Sequence, residues 1–222
     1  MIRKMIALDW RAMKVYQIRF PILPVFVFVF GWLYTPLLVI PLCVIFCLSF
    51  SINPFAVEEK GELNKLYLTL PVKRKEVVAG RFALSLILLF CGMVMGIAIL
   101  PLVNLVALSK WYLSLEWYLT IMALSVLLYA VFNLFMFPVL FRLGYQKGKF
   151  WGFYLPIGFF GIMFGGFSGI SMLPGNERLA LNFLEYASKN LLFISGGMVA
   201  LGAGLLVLSY AISVKVYSKR DF

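Results

Sequence analysis

Five long apolar runs without any Asp, Glu, Lys or Arg divide the sequence. They cover residues 20–57, 82–109, 117–141, 150–176 and 190–214. A helix needs about 20 consecutive apolar residues to cross the hydrocarbon core of a bilayer, so each run is long enough to form a membrane span. Short polar segments separate the runs. The pattern therefore predicts an all-α integral membrane protein.

The first run is 38 residues long and fits either one over-long helix or two short spans hinged near residues 31–36. Five cations precede it within residues 1–19, and six cations follow it within residues 58–81. Lys and Arg accumulate on the cytoplasmic side of membrane proteins, which places both flanks inside and requires an even number of crossings between them. We therefore predict a hairpin with spans at 20–34 and 37–56 and an external turn at "GWLYTP".

Continuing the alternation gives six transmembrane helices with both termini in the cytoplasm. Residues 108–116 and 171–189 then lie outside, and residues 142–149 and 215–222 lie inside. Seventeen of the twenty Lys and Arg residues fall on the inner side. Attraction to anionic inner-leaflet lipid explains the net charge of +11 without a nucleic-acid partner.

Residues 1–19 have the pattern of an interfacial amphipathic helix. Four cations share one arc of a helical wheel, and apolar residues occupy the opposite side, where Asp9 interrupts them. A plain basic flank that only fixes topology is the alternative. The apolar run begins only after this basic segment and no A-x-A-like site follows, so we expect no cleaved signal peptide.

Residues 57–81 form the longest polar segment between spans. We expect a short amphipathic helix from Glu58 to Lys65, broken at Gly61, and a second helix that starts at Pro71 and continues into span 3. A solvated loop and a docking surface for a soluble partner are both compatible with this composition.

Small residues recur at four-residue spacing in three of the predicted spans. Such stripes let helices approach closely in lipid, so they predict a compact bundle or a dimer seam. The residues are Gly92 and Gly96; Gly161, Gly165 and Gly169; and Gly196, Ala200 and Gly204. Between spans 5 and 6, residues 171–189 are too polar to span and suit a short external helix half-buried in the interface.

The chain lacks the side chains that most enzymes use. It has no His, and its nine acids fall at predicted helix ends or loops, so we expect no buried carboxylate pair for acid-base catalysis. No phosphate-binding loop is present, because "GYQKGKF" at 144–150 fails on spacing and on the final hydroxyl residue. We predict packing roles for the three cysteines and interhelical hydrogen bonds for Asn104 and Asn133. No catalytic, metal or cofactor residue is predicted.

The organisation of the whole chain resembles that of ABC-2 type transporter permeases. The shared features are a basic interfacial helix, a first hairpin, a charged segment, four further spans and a tail ending "YSKRDF". The segment "EEKGELNKLYLTLPVKRKEVVAGRF" at 58–82 resembles the "E...(K)...SLPVSRKEIVxxKY" segment of small bacterial permeases of phenol-soluble modulin and antimicrobial peptide exporters. "VKRKE" is more basic here than the usual "VSRKE".

The resemblance implies one transmembrane domain over residues 1–222 in the plasma membrane of a bacterium. Its parts are an interfacial helix (1–19), spans 1 and 2 (20–56), a cytoplasmic coupling segment (57–81), spans 3 to 6 (82–214) and a cytoplasmic tail (215–222). Its implied partners are a second permease chain, identical or paralogous, and two copies of a cytoplasmic ATPase that holds ATP and Mg. The implied substrates are hydrophobic or amphipathic peptides.

In such exporters, the segment between spans 2 and 3 sits in a groove of the ATPase. The resemblance assigns that coupling role to Glu58, Glu59, Glu62 and Lys65, and the start of the following helix to Pro71, Lys73, Arg74 and Lys75. It identifies no substrate-lining residue. Two other functions remain compatible with the sequence: an ATP-independent channel or facilitator, and a membrane immunity or interaction protein that transports nothing.

Overall fold

The computed structural model describes residues 2–12, 22–33, 36–60, 74–106, 114–171 and 189–219. They are helical almost throughout, and no strand occurs among them. We number the helices α1 (Ile2–Ala12), α2 (Ile22–Leu33), α3 (Val39–Phe50), α4 (Asn53–Lys60), α5 (Arg74–Val106), α6 (Leu115–Ser171) and α7 (Leu191–Ser218); a 3-10 turn at Pro36–Leu38 precedes α3. The predicted all-α class is confirmed.

Four stretches of the described residues are long and apolar enough to cross a membrane. They are Pro36–Glu59, Arg74–Val106, Leu115–Gly148 and Leu191–Ser218. The helix Ile22–Leu33 is apolar but shorter. The chain is thus a helical membrane protein with several spans, as its apolar runs predict.

The long element α6 consists of two helices that meet at Gly144. This glycine has φ 77° and ψ −174°, a combination that favours glycine. A Cβ atom on Gly148 would lie 3.1 Å from Cα of Leu140, so the chain folds back on itself at Gly144. We call residues 115–143 the first arm of α6, residues 145–171 the second arm, and Gly144 the reversal.

Aromatic side chains fill the core between α4, α5, the first arm and α7. Phe55 contacts Phe141 edge-on with ring centroids 4.9 Å apart, and Phe82 contacts Phe137 at 4.7 Å. Tyr217 packs on Phe141 at 5.2 Å. Large rings in this arrangement supply much contact area, and edge-on pairs add attraction beyond that area. The core therefore fixes α4 and the ends of α5 and α7 against one another.

Candidate functional site: the charged end of the helix bundle

One end of the bundle brings together polar segments that lie far apart in the sequence. There α4 ends, α5 begins, α6 reverses and α7 ends, and α1 packs against α4 and α5. We call this the basic end. Every segment that meets there belongs to a region that the sequence assigns to the cytoplasmic side, so the basic end is the candidate functional site.

The predicted coupling residues are divided between two helices and a part of the chain outside the described residues. Glu58 and Glu59 occupy the last turn of α4, whose helix continues to Lys60, so the helix reaches beyond the predicted end of span 2 at residue 56. Arg74 and Lys75 form the start of α5. The other four, Glu62, Lys65, Pro71 and Lys73, lie outside the described residues.

Arg81 and Glu58 form a salt bridge in the interior of the basic end, between Nη2 and Oε2. Both side chains are buried, and the guanidinium also lies over the ring of Phe55 at 4.2 Å from the centroid. A buried charge is tolerated only when it is paired, and removing one partner of such a pair costs about 3–5 kcal/mol. The contact therefore holds α4 and α5 together.

Asp9 of α1 adds a second carboxylate to this cluster. Its side chain is only 2% exposed, and its Oδ2 atom has no hydrogen-bond partner among the described residues. Burial raises the pKa of Asp9 from 3.8 to about 6; the charge of Arg81 lowers the pKa and the charge of Glu58 raises it. We call Asp9, Glu58 and Arg81 the charged cluster.

The charged cluster corrects the expectation that the chain has no buried carboxylate pair. Asp9 and Glu58 do lie near helix ends in the sequence, but packing of α1 and α4 on α5 buries both. Asp9 alone left a signal, because it interrupts the apolar face of α1. Glu58 left none, since its position at the end of an apolar run is typical of a solvated residue.

A close helix contact brings Asp9 to the cluster. A Cβ atom on Gly80 would lie 2.9 Å from Cβ of Met5, so α1 and α5 approach closely at this glycine. Met5 is buried one turn before Asp9, and the intervening Ala7 is exposed. Residues four apart share one face of a helix, so α1 docks on the bundle through its Met5 and Asp9 face. It is more than a loose basic flank.

Glu59 faces a different element from its neighbour Glu58. Its Oε2 atom accepts hydrogen bonds from the backbone N–H groups of Tyr145 and Gln146, with N···O distances of 2.5 and 3.0 Å. These are the first residues of the second arm, where N–H groups lack partners within the helix. A carboxylate is also favoured there by the helix dipole. Glu59 therefore caps the second arm from α4.

Arg74 joins the beginning of α5 to the end of α7. Its Nη1 atom donates a hydrogen bond of 2.9 Å to the backbone carbonyl of Ser218. The last carbonyls of a helix lack donors within the helix, and a cation is favoured at that end of the helix dipole. The basic end is thus held together by a salt bridge between helices and by charged side chains that bond to helix termini.

The predicted glycine stripes have different surroundings. A Cβ atom on Gly92 would lie 3.1 Å from the carbonyl oxygen of Cys43, and one on Gly96 would lie 2.9 Å from Cα of Ile40, so both face the backbone of α3. Gly196 and Gly204 have open space around them, and Ala200 is exposed on the same helix. The surroundings of Gly161, Gly165 and Gly169 lie outside the described part of the structure.

Polar side chains also link the helices within the bundle. Ser209 of α7 donates to Oδ1 of Asn133 in the first arm at 3.0 Å, which confirms the interhelical hydrogen bond predicted for Asn133. Tyr129 donates to Ser85 of α5 at 2.8 Å. Oδ1 of Asn104 has no hydrogen-bond partner among the described residues. The first arm is therefore bonded to both α5 and α7 at depth.

The described residues present no group of three or more His, Cys, Asp or Glu side chains that could hold a metal ion. Cys43 and Cys47 are buried free thiols, and Cys91 is a half-buried one. The chemistry available at the basic end is thus charge pairing and helix capping, which hold and position helices.

Comparison with known proteins identifies one family. The family model described as ABC-2 family transporter protein matches residues 1–218. No curated protein and no solved structure matches the chain. The family match covers α1 through α7, so the basic end lies entirely within it.

Proposed function

The chain belongs to the ABC-2 transporter family, and from that membership we propose that it is the membrane-spanning permease subunit of an ATP-driven exporter. The family match over residues 1–218 carries this proposal. The absence of a phosphate-binding loop from the sequence supports it, since the ATP and Mg would then be held by a separate cytoplasmic ATPase.

The ATPase docks on the segment between α4 and α5 in this proposal. That segment covers residues 61–73, and its Glu62, Lys65 and Lys73 supply charges of both signs beside Leu63 and Leu66. Apolar residues with a charged rim are the usual anatomy of a protein interface. Glu58 and Glu59 bond to other helices of the same chain, which favours a role inside the permease for these two residues.

Copurification tests the docking. We expect the tagged chain, extracted from its native membrane in mild detergent, to retain a soluble ATPase. Reversing Glu62 and Lys65 to Lys and Glu keeps the net charge and should weaken that retention, because rim charges set recognition. Exchange of the exposed Lys147 for Glu is the matched control at the basic end. Loss of the ATPase from the control as much as from the double variant would contradict this docking site.

We propose six spans with both termini in the cytoplasm of a bacterial cell. The basic end supports this arrangement, because regions 1–19, 57–81, 142–149 and 215–222 all contribute to it. Cysteines introduced at Lys147 should be labelled by a membrane-impermeant reagent only from the cytoplasm, and those at Glu177 only from outside. Labelling of both from the same side would contradict the proposal.

The exporter contains two permease chains and two ATPase copies in this proposal, and it moves hydrophobic or amphipathic peptides. The exposed stripe of Gly196, Ala200 and Gly204 leaves one face of α7 open for close contact with a second chain. Deleting the gene should raise the sensitivity of the cell to such peptides or cause them to accumulate inside. This substrate class would be contradicted if the deletion strain matched the wild type both in its sensitivity to a panel of amphipathic helical peptides and in the amount of these peptides inside the cell.

A further inference from the structure

Two adjacent carboxylates of α4 bind two different parts of the bundle. Glu58 pairs with Arg81 of α5, and Glu59 accepts the N–H groups of Tyr145 and Gln146 at the start of the second arm. Along the sequence Glu59 lies 86 positions from Tyr145. The last turn of α4 therefore touches both the helix that follows the docking segment and the turn between the two arms of α6.

The reversal is a narrow connection between the arms. Gly144 is the described glycine with positive φ, and it separates two helices that are otherwise regular. A change in its backbone angles reorients the second arm without breaking either helix. Glu59 binds that arm within two residues of Gly144, so the carboxylate sits where a small displacement gives the largest change in helix direction.

The first arm is held to α4 by a different kind of contact. Phe55 packs edge-on against Phe137 and Phe141 of that arm. These contacts are between uncharged rings, whereas the second arm is held by charge-assisted hydrogen bonds from two N–H groups. A displacement of the last turn of α4 therefore acts on the second arm through Glu59.

We propose that Glu59 is a positioning residue that transmits movement of the docking segment, through α4, to the second arm of α6. This inference rests on the proposed function, because an ATPase must displace residues 61–73. Lys60, the last residue of α4, immediately precedes that segment, and Arg74, the first residue of α5, immediately follows it, so such a displacement reaches both helices. Glu59 then acts inside the permease and not on the ATPase surface.

Glu59→Gln tests the inference, because it keeps the size of the side chain and removes the charge that strengthens the cap. We expect the variant to retain the ATPase and its ATP hydrolysis, while peptide transported per ATP falls about tenfold, within the usual range of coupling between sites. Glu59→Asp, which keeps the charge on a shorter side chain, replaces Glu59→Gln in these measurements if that variant accumulates poorly in the membrane. Glu116→Gln, an exposed carboxylate at the start of the first arm, is the matched control.

A distance measurement supplies a readout that a merely structural cap would not move. Spin labels at Val57 of α4 and Lys147 of the second arm, with the three native cysteines replaced, report the separation of these elements. In the wild-type complex we expect this distance to be the same with and without trapped nucleotide. In Glu59→Gln we expect the distance to differ between the two states, because the last turn of α4 then moves without the second arm.

The outcomes separate the two proposals. The role of Glu59 is overturned if Glu59→Gln retains the ATPase and transports as much peptide per ATP as the wild type. It is also overturned if the label distance in the wild-type complex changes with nucleotide. Either result leaves the permease assignment intact. A wild-type chain that retains no ATPase overturns the proposed function and this inference with it.

Discussion

The guanidinium of Arg81 pairs with the carboxylate of Glu58 in the interior of the basic end, and the charges of both groups act on the carboxyl of Asp9. One cation on α5 thus faces carboxylates from two other helices, α1 and α4. Three elements that the apolar pattern treats as separate are held at one point. The unequal numbers of anions and cations in this cluster determine how it responds to substitution and to pH.

Removing Arg81 should destabilise the protein more than removing the charge of Glu58. Arg81→Met leaves two buried carboxylates without a cation, and we expect a loss of about 3–5 kcal/mol in the free energy of unfolding. Glu58→Gln leaves Arg81 with Asp9 and should lose about 1–3 kcal/mol. Thermal unfolding of the purified protein in detergent measures both. Arg142→Met, at an exposed position near the reversal, is the control and should change the free energy of unfolding little. Equal losses in Arg81→Met and Glu58→Gln would contradict the shared role of Arg81.

Docking of α1 should strengthen as the pH falls. The pKa of Asp9 is about 6 in the folded protein and 3.8 as the ordinary value, so the folded state binds the proton more tightly. The stabilisation is fully present below pH 3.8 and is lost as the pH rises through 6. Such a shift corresponds to about 3 kcal/mol at most.

Hydrogen exchange of the α1 amides, corrected for the intrinsic effect of pH, measures this dependence. We expect exchange in the wild-type chain to slow as the pH is lowered from about 7.5 to about 5, a range that brackets the pKa of Asp9. Asp9→Asn should remain slow across the range, because the amide stands in for the protonated carboxyl. A pH response that persists in Asp9→Asn would assign the effect to another group.

Gly96 should not tolerate a larger side chain, whereas Gly158 in the second arm should tolerate alanine. A Cβ atom on Gly96 meets backbone of α3 at 2.9 Å, and that backbone has no rotamer with which to yield. We expect Gly96→Ala to cost about 1–3 kcal/mol of stability through overpacking. Gly158→Ala is the matched control, since nothing lies within 4 Å of its Cβ position. Equal stability of the two variants, measured by denaturant titration in mixed micelles, would show that α3 and α5 do not approach as described.

The hydrogen bond between Ser209 and Asn133 should contribute modestly to the packing of α7 on the first arm. Ser209→Ala removes the donor to Oδ1 of Asn133, and interhelical hydrogen bonds in membranes average about 0.6 kcal/mol with a maximum near 1.7. Ser218→Ala, at the exposed end of the same helix, is the control. A loss well above this range in the same titration would point to a wider polar network around Asn133.

The helical class and the family could both be predicted from local patterns. Each apolar run is long enough for a span, and the segment at 58–82 carries the features of the family it resembles. The bond at Asn133 was also predictable, since an amide within an apolar helix needs a partner. These conclusions depend on residue type and spacing along one stretch of chain.

The roles of Glu58, Glu59 and Asp9 were not predictable in the same way. A carboxylate near the end of an apolar run looks the same whether it faces water, a partner or the protein interior. The burial of Glu58 requires Arg81 from α5, and the cap formed by Glu59 requires the reversal at Gly144 to be folded back beside α4. Neither neighbour lies near enough in sequence to leave a pattern.

Residue chemistry along the chain is therefore enough to predict a helical membrane protein and its polar segments, because the transfer of each side chain into lipid depends on that side chain alone. Packing in three dimensions sets which carboxylates are buried, which glycines meet a backbone and which helix termini are capped. Those properties depend on groups brought together across tens of residues, and the free energy of a buried charge is set by the partner that packing places beside it.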